Sequence, residues 1–380
     1  MMIYLDNSAT TKPDPSVLES FQQVTNNYFA NPSSIHQLGG TAEKLLLTAK
    51  KQAAELLGTD TEEIVFTSGG TEGNNTAIKG IAFEHQGRGK HIITSDIEHP
   101  SIIEACNSLE RLGFEVTYLP VNEKGVVSVD DLEKAIRKDT ILISIMHVNN
   151  EMGSIQPVIE IGQIAKKYPK LFFHVDGVQG LGKVPLKLKD SGIDLCTFSG
   201  HKIHGLNGTG VLYVNKHTKI FPLFHGGNQE QSLRSGTENL AGAVSFVKAL
   251  RLIKEREKNE WRHLEDLQQY LLDVLSTMDG IIVNTPQNAA PHIINMSVPG
   301  IKPEVIIHML GEQGIFISTK SACSSKLKDE SKVLAACGFG RDRSTTALRV
   351  SLTYDNTMEE MNIFTKALAE AIRQFKRALE

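Results

Sequence analysis

The sequence predicts an α/β fold: a mostly parallel sheet covered by helices, followed by a smaller α+β domain. Three observations point there. Strand-length apolar runs alternate with helix-length amphipathic segments through the first two thirds of the chain. Several of those runs are continuous rather than alternating, as in strands buried on both faces. The alternation then changes near residue 255, and 380 residues is long for one small core.

Taken in order, strands are expected at residues 63–67, 91–95, 116–119, 140–148, 171–176, 195–199 and 210–214. Amphipathic helices are expected between them at 42–57, 101–112 and 158–167. Leu264, Leu267, Leu271, Val274 and Leu275 repeat at helical spacing in a charged segment that starts at Lys254. A long helix is therefore expected to lead out of the large domain. Beyond it come strand-like 280–283, 292–298, 314–318 and 348–352, a helix from Pro303 and a final helix from Met358. The division expected is an N-terminal segment, 1–15, packing with the small domain, a large domain, 16–254, and a small domain, 255–380. The stretch 324–343, rich in Lys, Asp, Ser, Gly and Arg, reads as an exposed loop with a short helix near Val333.

Composition narrows the function. The charged and hydrophobic fractions, 22% and 40%, are ordinary for a soluble domain, and a formal charge of -4 gives no pull toward nucleic acid or an anionic membrane. No run reaches transmembrane length. The start, MMIYLDNSATT, lacks the features of a signal peptide, so a reducing cytoplasm is the expected compartment. Cys106, Cys196, Cys323 and Cys337 form no CxxC pair, which argues against a disulfide framework or a structural metal.

In an α/β sheet the ligand sits beyond the carboxyl ends of the strands. After Phe66 comes Thr67-Ser-Gly-Gly-Thr-Glu-Gly-Asn-Asn75, leading into a helix. Gly70 would let the backbone come close, and Thr71 would add a hydroxyl to the free N–H groups of the helix start, which suits a phosphate. A plain capped turn is the alternative. Asp176 ends the next strand of interest, where a carboxylate needs a cationic partner or caps the turn. Lys202, in Ser199-Gly-His201-Lys202, ends the strand after that. Partly desolvated there, its amine could bond to an aldehyde. An anion cradle, an Asp for a protonated ring nitrogen and a Lys for an aldehyde together meet the needs of pyridoxal 5′-phosphate (PLP). His99, after the 91–95 strand, could stack on a flat ring or move protons, and Asn150 offers amide donors.

Cys323, in Ser321-Ala-Cys-Ser-Ser between Lys320 and Lys326, is the reactive cysteine candidate. Cys106, Cys196 and Cys337 read as packing residues. Arg349, inside the apolar run Leu348-Arg-Val-Ser, needs an anion: a substrate carboxylate or an internal Asp or Glu.

With these motifs assembled, the chain resembles the NifS/IscS-type cysteine desulfurases of the class V aminotransferase group, which are fold-type I PLP enzymes. The likeness runs nearly end to end. It includes Leu5-Asp-Asn-Ser-Ala-Thr-Thr, Asn31-Pro-Ser-Ser-Ile-His, Glu98-His, His147-Val-Asn-Asn-Glu, His174-Val-Asp-Gly-Val-Gln, Arg234-Ser-Gly-Thr-Glu-Asn and Ser321-Ala-Cys-Ser-Ser. The cysteine loop is similar to that of the group I branch.

The resemblance implies that Lys202 carries PLP, that Asp176 meets its ring nitrogen, and that Gln179 and Asn150 lie near its ring oxygen. His99 would stack on the ring and carry protons, while Gly70, Thr71, Ser199 and His201 would hold the phosphate. Thr237 would reach the cofactor of a neighbouring subunit, which implies a homodimer. Asn31, Asn150 and Arg349 would bind substrate. The implied reaction converts L-cysteine to L-alanine with a persulfide on Cys323, which then supplies an acceptor protein for iron–sulfur cluster assembly or for tRNA or cofactor thiolation. Direct contact with nucleic acid or membrane is not expected, and no metal. Within enzymes the competing readings are a selenocysteine lyase or an aminotransferase; outside them, a PLP-bound scaffold without turnover. The chain departs from the family pattern at Gly205-Leu-Asn-Gly, Asn228, Gln231 and Tyr354. Those positions bear on partners and loop behaviour, not on the reacting groups.

Overall fold

The structure, a computed structural model, describes residues 2–319 and 330–379. Its centre is a seven-stranded sheet in the order Ile64–Thr67, Gly210–Val214, Leu195–Ser199, Phe172–Asp176, Thr140–Met146, His91–Ser95, Glu115–Leu119. Neighbours from Leu195–Ser199 to Glu115–Leu119 run parallel, whereas Gly210–Val214 is antiparallel to both strands beside it. Of the inner strands, His91–Ser95, Thr140–Met146, Leu195–Ser199 and Gly210–Val214 are buried along their whole length, which explains their largely unbroken apolar runs. Helices Gly70–His85 and Pro100–Glu110 pack on one face through Ile78, Ile81, Ile102 and Leu109. Helix Val158–Ala165 and the first half of Leu240–Thr277 help cover the other, through Ile161, Phe246 and Leu250.

The expected strands form within a residue or two at their starts, and the 140–148 run ends as a strand at Met146. The long helix, expected from Lys254, instead starts at Leu240 and runs unbroken to Thr277, about 57 Å at 1.5 Å per residue. Its early turns bury Phe246, Val247 and Leu250, and its last turns bury Leu264, Leu267, Leu271 and Leu275 in the same core.

The C-terminal part contains the antiparallel strands Ala347–Ser351, Ile293–Ser297 and Ile282–Val283. Helices Pro303–Glu312 and Met358–Leu379 pack beside them. Near Val333 there are two short helices, Lys332–Ala336 and Arg341–Ser344. The N-terminal strand Ile3–Tyr4 pairs in parallel with Ile315–Phe316, and Asp6 bridges to Ser351. Residues 6–11 then reach the carboxyl edge of the large sheet, where Thr11 donates through its backbone N–H and its hydroxyl to the His201 carbonyl. Among the described residues no helix is long and apolar enough to cross a membrane.

Candidate active site

At the carboxyl ends of the parallel strands lies a cavity of about 160 Å³. Its lining includes Gly70, Thr71, His99, Asn150, Asp176, Gln179, Ser199, His201, Lys202 and Arg349. All but Arg349 come from the carboxyl ends of strands in the large sheet or the turns after them: Gly70 and Thr71 follow Ile64–Thr67, Asp176 ends Phe172–Asp176 with Gln179 in the turn after it, and Ser199 ends Leu195–Ser199 with His201 and Lys202 following. Arg349 reaches the cavity from Ala347–Ser351 of the C-terminal sheet. Asn31 and Thr237 are exposed on this chain and do not line the cavity. Cys323 lies outside the described residues.

Lys202 ends a short 3-10 turn, Gly200–Lys202, directly after strand Leu195–Ser199. Its amine donates to the Ser8 carbonyl and, at 2.7 Å, to the Ala9 carbonyl. Asp176 ends strand Phe172–Asp176. Its Oδ2 accepts from Asn74 Nδ2 at 2.7 Å and its Oδ1 from the Val178 backbone at 3.0 Å. Each oxygen keeps a lone pair for one more donor. His99 caps helix Pro100–Glu110 through Nδ1. Burial pushes its pKa down, the Asp176 charge opposes this, and the Lys202 charge adds to it. His201, 3.2 Å from the Thr10 hydroxyl through Nδ1, is pushed down to about 4, first by burial and then by Lys202. It is a neutral donor or acceptor at pH 7.

Helix Gly70–His85 begins without a side-chain cap, since Gly69 is its N-cap residue with φ 142°. The N–H groups of its first turn are therefore available to an anion. A β-carbon at Gly69 would lie 3.5 Å from Ser199 Oγ, and one at Gly70 would come within 3.1 Å of Val178. Ser199 Oγ itself is buried with no hydrogen-bond partner among the described residues. An orphaned buried hydroxyl, two glycines and uncapped amides form a cradle whose donors lack an acceptor. With the carboxylate of Asp176 and the amine of Lys202 in the same cavity, these residues fit PLP.

For Arg349, buried in strand Ala347–Ser351, the internal-acid alternative is realised. Its guanidinium donates to Asp6 Oδ1 at 2.9 Å and to the Asn150 carbonyl at 2.8 Å. Its Nε is buried with no partner among the described residues. Gln179 donates to the Ser8 carbonyl at 3.0 Å.

Sequence reasoning missed several of these contributors. Asn74 was inside a quoted motif, but its partner Asp176 is 102 residues away, a distance no local pattern reports. Ser101 and the Ser8 and Ala9 carbonyls were likewise unassigned. The Leu5–Thr11 motif, with its run of small polar residues, was the available signal for the carbonyls.

Comparison with known proteins agrees with this geometry. The family model "Aminotransferase class-V" matches residues 3–364. A "NifS/IcsS protein homolog" of Lactobacillus delbrueckii subsp. bulgaricus is 47% identical, over 99% of this chain and 98% of its own length. A "Cysteine desulfurase IscS" of Dictyoglomus turgidum is 43% identical, over 98% of this chain and 95% of its own. A solved structure titled "NIFS-LIKE PROTEIN" superposes with TM-score 0.93 at 37% identity, covering 98% of this chain and 100% of that one. The cavity and these likenesses lead to one conclusion: the chain belongs to the class V aminotransferase family, among its PLP-dependent enzymes of the cysteine desulfurase type.

Proposed function

We propose that this chain takes sulfur from L-cysteine, releases L-alanine and carries the sulfur as a persulfide on Cys323. The observation behind the reading is the shared cavity of Lys202, Asp176 and His99 with the open cradle at Gly69, Gly70 and Ser199. Gly70, Thr71, Ser199 and His201 would hold the phosphate of PLP, Asp176 its ring nitrogen, and Gln179 and Asn150 its ring oxygen. When bound, PLP supplies an aldehyde for the substrate amine and a ring that takes up electrons from Cα.

The chain's own groups do the rest. Arg349, through the Nε that has no partner among the described residues, holds the substrate carboxylate, and Asn31, exposed outside the cavity in this structure, would have to move in to join it. Lys202 Nζ takes the Cα proton, and Asp176 keeps the proton on the ring nitrogen. The Cys323 thiolate then attacks the substrate sulfur, so an S–S bond forms as the Cβ–S bond breaks. The electron pair stays with the substrate carbon, which takes up protons to become the methyl group of alanine. One cysteine and one enzyme thiol thus give one alanine and one persulfide.

In this reading the enzyme is a cytoplasmic homodimer in which Thr237 reaches the phosphate in the neighbouring subunit. It passes sulfur to an acceptor protein for iron–sulfur assembly or for tRNA or cofactor thiolation. The test is purified protein with L-cysteine and a thiol reductant. Alanine and sulfide should appear in equal amounts, and Cys323→Ala should keep the cofactor absorbance yet lose persulfide and turnover. Full-rate sulfide release by Cys323→Ala would sink the persulfide step, and purified protein without cofactor absorbance would sink the whole reading.

A further inference from the structure

Two buried side chains on the cavity wall, Asn74 and Ser101, have no part in the reaction above. Asn74 sits in helix Gly70–His85, and Ser101 in helix Pro100–Glu110. The Asn74 amide nitrogen is 2.7 Å from Asp176 Oδ2 and 2.9 Å from Ser101 Oγ. Its orientation is forced, because turning the amide over would press its oxygen against a carboxylate. Both amide hydrogens are therefore used, one on Asp176 and one on Ser101.

Ser101 Oγ accepts from Asn74, so its own hydrogen goes to the remaining neighbour, His99 Nδ1, at 2.8 Å. The Ser101 backbone N–H points to the same ring nitrogen at 3.1 Å. With two donors aimed at it, Nδ1 presents its lone pair, and the ring hydrogen resides on Nε2. Protonating Nδ1 would require the Ser101 hydroxyl to rotate away and would leave the backbone N–H facing another hydrogen. The ionisable groups that interact with His99 across the cavity are Asp176, Lys202 and His201.

We propose that Asn74 and Ser101 are positioning residues that lock His99 as the neutral Nε2–H tautomer, so that it meets cofactor and substrate as a fixed hydrogen-bond donor. In that state His99 does not shuttle protons, and Lys202 remains the group that takes the Cα proton. The Asp176 carboxylate anchors the chain of bonds, which sets the ring-nitrogen site and the His99 tautomer together. The role of His99 in turnover rests on the function proposed above, whereas its tautomer rests on the protein's own bonds.

The test is nitrogen NMR on deuterated, [15N]histidine-labelled holoenzyme, with the His99 signals identified by their loss in His99→Gln. Wild type at pH 7 should show a single neutral form with the hydrogen on Nε2. Ser101→Ala removes one donor that favours neutral Nδ1. It should give mixed tautomers and raise the His99 proton affinity about tenfold, the size of one hydrogen bond. Asn74→Ala should shift both in the same direction, and Ser101→Thr should restore the wild-type pattern. An Nδ1–H tautomer in wild type, or a Ser101→Ala spectrum identical to wild type, would overturn the proposal. If the protein takes up no PLP, the proposed function fails, while the same spectra of the PLP-free protein still decide the tautomer.

Discussion

Glu98 is buried one residue before His99, with Oε1 accepting from the Ser95 hydroxyl at 2.6 Å and the Met146 backbone at 3.0 Å. Burial raises its pKa from 4.5 to about 8; those two bonds oppose the shift and the Asp176 charge adds to it. A carboxyl raised in the folded state contributes stability that is fully present below its unfolded pKa and is lost as pH rises through the folded value. Wild type should therefore lose stability between about pH 5 and 8 relative to Glu98→Gln, which keeps the shape and cannot ionise. The gap should grow by up to about 1.4 kcal/mol per pH unit, as read from urea unfolding at several pH values. Equal pH slopes for the two proteins would show that Glu98 does not titrate in this range. At this scale the sequence was legible where chemistry depends on residue type at a strand end, as for Asp176 and Lys202. It was silent where a side chain such as Asn74 gains its meaning from a distant neighbour.

Among the elements, Gly210–Val214 carries a lesson about reading order. The link 200–209 is too short to hold a crossover helix, so the strand after it must return antiparallel, as it does. Strand positions followed from apolar runs, but direction follows from link length. The helix Leu240–Thr277 shows the opposite limit. Its first turns are apolar on more than one face because they are wedged between the sheet and earlier helices, so the charged, amphipathic part alone marked it as a helix. Its late leucines join the core that also holds Leu348, Phe364 and Leu368. Leu267→Ala should cost about 2–5 kcal/mol, seen as a lower urea midpoint, because a fully buried leucine leaves a cavity in well-packed surroundings. A loss below about 1 kcal/mol would mean that the helix is free to shift and fill the space.

Over the whole molecule, the N-terminal segment joins parts of the chain that lie hundreds of residues apart. Asp6 pairs with Arg349, Asn7 donates to the Ser351 carbonyl, and Ser8 and Ala9 accept from Lys202. Arg349 is 1% exposed, so Asp6→Asn should be costly although Asp6 itself is partly exposed. About 1–3 kcal/mol is expected, since one charged partner is replaced by a neutral acceptor. Thermal unfolding measures this, and an unchanged midpoint would show that the Asn150 carbonyl alone satisfies the guanidinium. The sequence marked Arg349 as needing an anion but could not choose between a substrate and an internal acid, because its partner is 343 positions away.

The same N-terminal strand has a consequence in time. During synthesis its residues leave the ribosome long before the partners it needs, Gly314 to Phe316 and Arg349 to Ser351, are made. The Ser8 and Ala9 carbonyls that receive the Lys202 amine thus gain the neighbours that anchor their segment only after residue 351 is made. Contacts of such long separation form late. A growing chain can build its central sheet early, while the cavity stays open until residues 3–11 meet the strands at 315–316 and 347–351.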